Sequence, residues 1–139
     1  NHQVGFNKQV VIDPGSENIE LVSDKAVLGR VLGNLVKNAL EASKAGETVT
    51  IGCERLYDYV RFWVHNKSVM PRHVQLQVFK RSFSTKGKGR GLGTYSIKLL
   101  TEKYLQGRVS FESDHTDGTA FSAMVPLVWL APADPEVAE

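Results

Sequence analysis

Three asparagines and one glycine-rich run are the residues of this chain whose types and spacing suit chemistry. Asn34 and Asn38 stand four apart in a segment of helical periodicity. At ~100° per residue, Arg30, Asn34, Asn38 and Glu41 share one flank, beside the apolar stripe rather than opposite it. Asparagine is a mediocre helix former, so two on one flank invite a reason. An amide oxygen is a hard, neutral ligand suited to Mg²⁺, and the amide nitrogen can donate to a phosphate. A solvated polar face with two incidental asparagines fits the same pattern.

The run Lys86-Gly87-Lys88-Gly89-Arg90-Gly91-Leu92-Gly93-Thr94 leads into a second helical pattern. Alternate glycines let backbone N–H groups approach an anion, a helix N-terminus adds donors, and Lys86, Lys88 and Arg90 supply countercharge. Neither a P-loop nor the strict dinucleotide fingerprint is present. A flexible basic surface loop is the plainer reading. The third asparagine, Asn66, follows His65 at the end of an apolar run and falls in phase with Val60, Phe62 and Val64. With a period of two it would face inward, where its donor and acceptor match the amino group and adjacent ring nitrogen of adenine. An Asx turn closing the strand is the competing account. His65 then points outward as a surface residue.

The elements that must position these groups follow from periodicity. Val10–Ile12 and Ile19–Val22 read as strands, and Ser23-Asp24 as caps for a helix with Leu28, Val31, Leu32, Leu35, Val36 and Ala39 at helical spacing, stopping near Gly46. Thr48–Glu54 and Tyr59–Asn66 form a hairpin, and Pro71 opens a short helix reaching about Phe79. Ile97, Leu100, Tyr104 and Leu105 mark a second long helix ending near Gly107. Val109–Glu112 and Thr119–Val125 close the domain as a second hairpin around Asp117-Gly118. Hairpin-linked strands predict an α+β two-layer sandwich, with a mixed, mainly antiparallel sheet and helices on one face. Residues 1–130 read as one domain and residues 131–139, with two prolines and three acids, as a disordered tail.

Composition narrows the class. The chain has 139 residues, 42% hydrophobic and 23% charged, enough for one self-sufficient core and too apolar for disorder. The single cysteine, Cys53, excludes a disulfide framework and a multi-cysteine zinc site, and the remaining histidines, His2, His73 and His115, form no metal or triad spacing. No apolar run approaches the ~18 residues of a membrane span, and Asn1-His2-Gln3 does not resemble a signal peptide. A formal net charge of +2 does not by itself argue for nucleic acid.

Taken together, these segments resemble the ATP-binding catalytic domain of bacterial sensor histidine kinases, in the group shared with type II topoisomerase, Hsp90 and MutL ATPases. The run from Asp24 to Ala39 resembles the family's N box, and Val78–Lys86 its F box. Gly89-Arg90-Gly91-Leu92-Gly93 resembles its second glycine box, and Asp117-Gly118-Thr119 its terminal Gly-Thr. Any one of these is unspecific; four in this order, across Asp13 to Pro126, are specific. The resemblance implies a Bergerat-type ATP-binding fold and Mg²⁺-ATP as cofactor. It implies Asn38 as the metal-binding asparagine, with Asn34 and Lys37 near the phosphates and Asn66 and Thr119 near the adenine. Lys86, Gly89, Arg90, Gly91, Leu92 and Gly93 would form the lid over the nucleotide, anchored by Phe79 and Phe83. Within that set, the resemblance implies Asn34 and Asn38 as the catalytic residues.

One box departs. The family has Asp-x-Gly-x-Gly where this chain reads His65-Asn66-Lys67-Ser68-Val69-Met70-Pro71. Counting back from Pro71 puts His65 at the aspartate, whereas strand phase puts Asn66 there. Phase is the better guide, because a one-residue slip turns the key side chain away from the pocket.

The implied activity is transfer of the γ-phosphoryl group of ATP to a histidine on a separate upstream dimerisation domain, with a response regulator downstream. The implied setting is the cytoplasm, without membrane insertion of this domain and without nucleic acid as a partner. Alone, the fragment should not autophosphorylate. A pseudokinase with weak nucleotide binding and an anti-sigma-type serine kinase share the pattern. A water-activating hydrolase fits less well, because Asn34 stands where such relatives carry a glutamate base. A non-enzymatic rival is a nucleic-acid module using Lys80, Arg81, Lys86, Lys88 and Arg90, whose binding would weaken steeply with salt.

Overall fold

Strand alternation sets the architecture. The computed structural model describes residues 8–80 and 92–131. Its five strands are β1 Gln9–Ile12, β2 Thr48–Leu56, β3 Tyr59–Asn66, β4 Arg108–Asp114 and β5 Gly118–Pro126, ordered β1-β2-β3-β5-β4. β1 pairs parallel with β2, and the remaining pairs are antiparallel. Helix α1, Lys25–Ala42, packs on β2 and β3. Helix α2 is the single turn Arg72–Gln75, and α3, Leu92–Leu99, runs on into a π-helical segment, Leu100–Tyr104, against α1 and β4. This is the mixed, mainly antiparallel two-layer sandwich that the periodicities predict.

The core is the inward set of each element. Val31, Leu35 and Ala39 of α1 meet Val49, Val60, Val64, Ala123 and Val125 of the sheet, with Ile97 of α3 and Leu105 at the end of the π-helical segment. Full burial of each large aliphatic in this set contributes about 1.5–3 kcal/mol. On the opposite face, Trp63 lies over β2 where residue 52 has no side chain: a Cβ there would sit 2.3 Å from the indole.

Three expected elements differ. Ile19–Val22 is not a strand, since only Val22 bridges, to Val128. Beside β2, the Ser16 hydroxyl and the Glu17 carboxylate accept the N–H groups of Cys53 and Arg55, and the Glu17 N–H donates to the Cys53 carbonyl, so residues 16 and 17 rather than 19–22 occupy that edge. The helix opened by Pro71 closes after one turn rather than reaching Phe79. The second long helix widens to i→i+5 bonding at Leu100, with the Leu105 N–H donating to the Leu100 carbonyl at 2.8 Å.

Helix α1 starts at a clamp. Asp24 caps it by accepting the Val27 N–H at 3.0 Å, as its residue type predicts. The same carboxylate accepts the Tyr104 hydroxyl at 3.0 Å, and the Trp129 indole N–H donates to the Tyr104 carbonyl at 2.9 Å. The Tyr104 and Trp129 rings lie 5.3 Å apart. Residues 127–129 also pair through backbone bonds with Val22, so the chain past the last strand is part of the fold. The Ala131 end is exposed, and 132–139 lie outside the described residues. Among the described residues no helix is long and apolar enough to cross a membrane.

Two carboxylates make stability pH-dependent. The Val27 N–H, with help from Tyr104, holds Asp24 below the usual carboxylate range. Burial alone would push Glu102 up. Lys98, which bonds it at 2.7 Å, the Val109 N–H and the charge of Arg108 outweigh that and hold it low. A carboxylate whose folded pKa is depressed contributes stability above its unfolded value and loses it as pH falls through the folded one. Denaturant midpoints should therefore be flat above about pH 5 and fall below about pH 4. Asp24→Asn, which can still cap, should flatten part of that acid limb. A second test concerns Thr101, fully buried with a hydroxyl that has no partner among the described residues. Thr101→Val should raise unfolding stability by about 1 kcal/mol in urea titration.

Candidate functional site

Helix α1 turns its asparagines toward the flank of its buried stripe. Asn34 and Asn38 are half-buried, Lys37 and Arg30 are exposed, and Val31, Leu35 and Ala39 are buried. Asn34 and Asn38 are one turn apart, about 5–6 Å between Cβ atoms. Neither amide is engaged by a side-chain partner among the described residues, so both remain available to a ligand. Asn38 offers one neutral hard oxygen. That suits Mg²⁺, which keeps several waters and takes its other ligands from substrate phosphates.

At the end of β3, Asn66 is 3% exposed and in phase with Val60 and Val64, at 0% and 4%. Its orientation is therefore inward, as strand phase predicts, while His65 faces the other side and binds the Asp117 carbonyl through Nε2. His65 is half-buried rather than a free surface residue. The Asn66 Nδ2 is buried and has no hydrogen-bond partner among the described residues. A buried amide donor left unmatched costs about 1–3 kcal/mol, so the position is poor as structure and suited to an incoming acceptor.

Beside it, Asn66 and Thr119 are register partners across β3 and β5. Gly118 makes that approach possible. Its φ is +82°, and a Cβ there would sit 2.3 Å from the Asn66 carbonyl oxygen. Thr119 is 4% exposed, and its hydroxyl donates to the Ser68 carbonyl at 2.7 Å. Ser113 Oγ accepts the Met70 N–H at 2.7 Å and lies 2.7 Å from Thr119 Oγ1. Thr119 has one hydrogen, already given to Ser68, so Ser113 must be the donor between the two hydroxyls. The resulting chain, Met70 N–H to Ser113 to Thr119 to Ser68, fastens the segment after Asn66 in which the expected glycines are missing. Thr119 thus stands next to Asn66, with its hydrogen committed to holding that segment.

Lys86, Gly89, Arg90 and Gly91, together with Phe83, lie outside the described residues. Leu92 and Gly93 open α3. Both flanks of the run are fastened. Thr94 donates its hydroxyl to the carbonyl of buried Val78, and Phe79 sits edge-on to Phe111 and Phe121, 5.8 and 5.9 Å between centroids. Lys98 Nζ lies 5.9 Å from the Phe79 ring centre. Phe79 is therefore an anchor of the F-box segment. Its partners Phe111 and Phe121 were missed in the sequence, although each falls on the inward phase of its strand. Ser113 was missed as well, because a lone serine on an alternating strand carries no distinctive signal. A separate cleft of about 470 Å³ at the other end of β3, lined by Arg61, Arg108, Ser110 and Ser122 among others, contains none of the predicted site residues.

Comparison with known proteins agrees with this arrangement. The profile of the family described as histidine kinase-, DNA gyrase B- and HSP90-like ATPase matches residues 23–128. The chain is 32% identical over 126 residues to the sensor protein DegM of Bacillus sp. (strain B21-2), covering 89% of the chain and 31% of DegM. It is 32% identical over 106 residues to sporulation kinase C of Bacillus subtilis (strain 168), covering 75% of the chain and 24% of that kinase. It thus spans about a third or less of these relatives. The nucleotide-free catalytic domain of histidine kinase ThkA superposes with a TM-score of 0.72 at 28% identity, over 88% of this chain and 79% of that one. The same kinase in complex with response regulator protein TrrA matches in fold, with a TM-score of 0.67 at 23% identity over 87% of this chain and 34% of ThkA. With its mixed sheet, its N-box helix and its Gly-Thr strand in the same order, the chain belongs to the histidine kinase-, DNA gyrase B- and HSP90-like ATPase family, among the catalytic domains of sensor histidine kinases.

Proposed function

We propose that this domain binds Mg²⁺-ATP and donates the γ-phosphoryl group to a histidine on a separate helical domain. The observation that carries the reading is the pair of half-buried amides on α1, together with a buried amide at the end of β3 whose Nδ2, like that pair, has no partner among the described residues. The first pair suits a metal-triphosphate and the second a purine. In transfer, a ring nitrogen of the acceptor histidine forms the N–P bond as the bond from phosphorus to the β–γ bridging oxygen breaks. ADP leaves, and the imidazole loses its proton to solvent. Such transfer needs positioning and charge neutralisation more than covalent help from the protein.

Asn38 would hold the metal, which would neutralise phosphate charge. Asn34 and Lys37 would donate to phosphate oxygens, with Lys86, Arg90 and the Gly89–Gly93 backbone covering them. Thr119 would support the base end beside Asn66. Asn34 cannot accept a proton at neutral pH, which disfavours water activation. The partners proposed are the phosphoacceptor domain of the same protein and a response regulator; ThkA, similar in fold, has been crystallised with one. The setting proposed is the cytoplasm.

Calorimetric titration with Mg²⁺-ATP should show binding by the wild type and a loss of at least about tenfold in Asn38→Ala, about 1.4 kcal/mol. Absence of binding by a folded wild type would leave a pseudokinase, and equal binding by both would remove Asn38 from the metal role. Adding the histidine-bearing helical domain should yield acid-labile phosphohistidine on that domain and none on this one.

A further inference from the structure

The amide at position 66 has a consequence for which base the site accepts. We infer that Asn66 makes the base end tolerant of 6-oxopurines, so that GTP and ITP bind with affinity comparable to ATP. This rests on the nucleotide-binding reading above.

Asn66 is buried, its Nδ2 has no partner among the described residues, and its neighbour Thr119 has given its only hydrogen to Ser68. Of these two side chains, only the amide therefore has a donor left to offer. An amide carries both hydrogen-bond senses, and a half-turn about its Cβ–Cγ bond exchanges them. Facing adenine, Oδ1 accepts from the 6-amino group while Nδ2 donates to N1. Facing guanine or hypoxanthine, Nδ2 donates to O6 while Oδ1 accepts from N1–H. Each arrangement satisfies the buried donor. The aspartate that the resemblance expects at this place offers acceptors alone, so it repels O6 and selects the 6-amino base. The exchange of carboxylate for amide thus removes the element that rejects guanine, the repulsive half of specificity.

The test is a competition titration of the whole domain with Mg²⁺ and ATP, GTP, ITP, CTP, purine riboside triphosphate and tripolyphosphate, on the wild type and on Asn66→Asp. ATP, GTP and ITP should bind the wild type within about tenfold of one another. Purine riboside triphosphate, which lacks a 6-substituent, should be weaker than all three, and CTP and tripolyphosphate weaker still. Asn66→Asp should weaken GTP and ITP by at least about tenfold more than ATP, the scale of one mismatched buried hydrogen bond. GTP and ITP more than tenfold weaker than ATP on the wild type would overturn the inference and leave ATP binding intact. Equal binding of all six compounds, or an unchanged ATP-to-GTP ratio in a folded Asn66→Asp, would also overturn it. If no triphosphate binds, this inference and the proposed function fall together. Should Asn66→Asp not fold, the wild-type series decides alone.

Discussion

The two-residue period of β3 is the constraint on which the rest depends. That strand pairs with β2 on one side and β5 on the other, receives α1 on its inner face, and ends in the buried asparagine. Val60 and Val64 are apolar and buried, so the register has one acceptable solution. A slip of one residue would put Arg61, Trp63 and His65 under α1 and turn Asn66 to the other face. Fold stability and side-chain direction at the proposed base site are therefore one choice, made by the same valines.

Around that strand end, hydrogen bonds and ring contacts between side chains hold the backbone of the proposed site in place. The hydroxyl chain through Ser113 and Thr119 fastens the segment after Asn66, while the Phe79, Phe111 and Phe121 rings and the Thr94 hydroxyl secure both flanks of the glycine-rich run. Aromatic pairs of this geometry contribute about 0.5–1.5 kcal/mol each beyond burial. Such support allows irregular backbone near a ligand, because hydrogen bonds and ring contacts replace the ladder that regular strands would supply.

Much of this was legible in the sequence, for definite reasons. Helix α1 announces itself through Leu28, Val31, Leu35 and Ala39 at helical spacing and an aspartate cap, and strand phase orients Asn66 where counting from Pro71 would choose His65. Ile19–Val22 misled because alternation reports half-burial, not pairing: Ile19 and Leu21 do pack on the core, while Ser16 and Glu17, through side chains and the Glu17 N–H, take hydrogen bonds of β2. The widening at Leu100 left no trace in the apolar spacing, since Leu100, Tyr104 and Leu105 contact the core whether the ring closes at four residues or five. The Ser113 relay and the docking of Trp129 are long-range contacts, which local periodicity does not encode.

The placement of the two tryptophans gives the molecule its own optical readout. Trp63 lies over Gly52 on the open face of the sheet, whereas Trp129 stacks near Tyr104 with its indole N–H tied to a backbone carbonyl. Tyr104 in turn bonds the carboxylate that caps the helix carrying Asn34 and Asn38. Emission from one indole thus reports on the sheet, and emission from the other on the root of helix α1. With one tryptophan replaced at a time, these two environments are distinguishable without any attached dye.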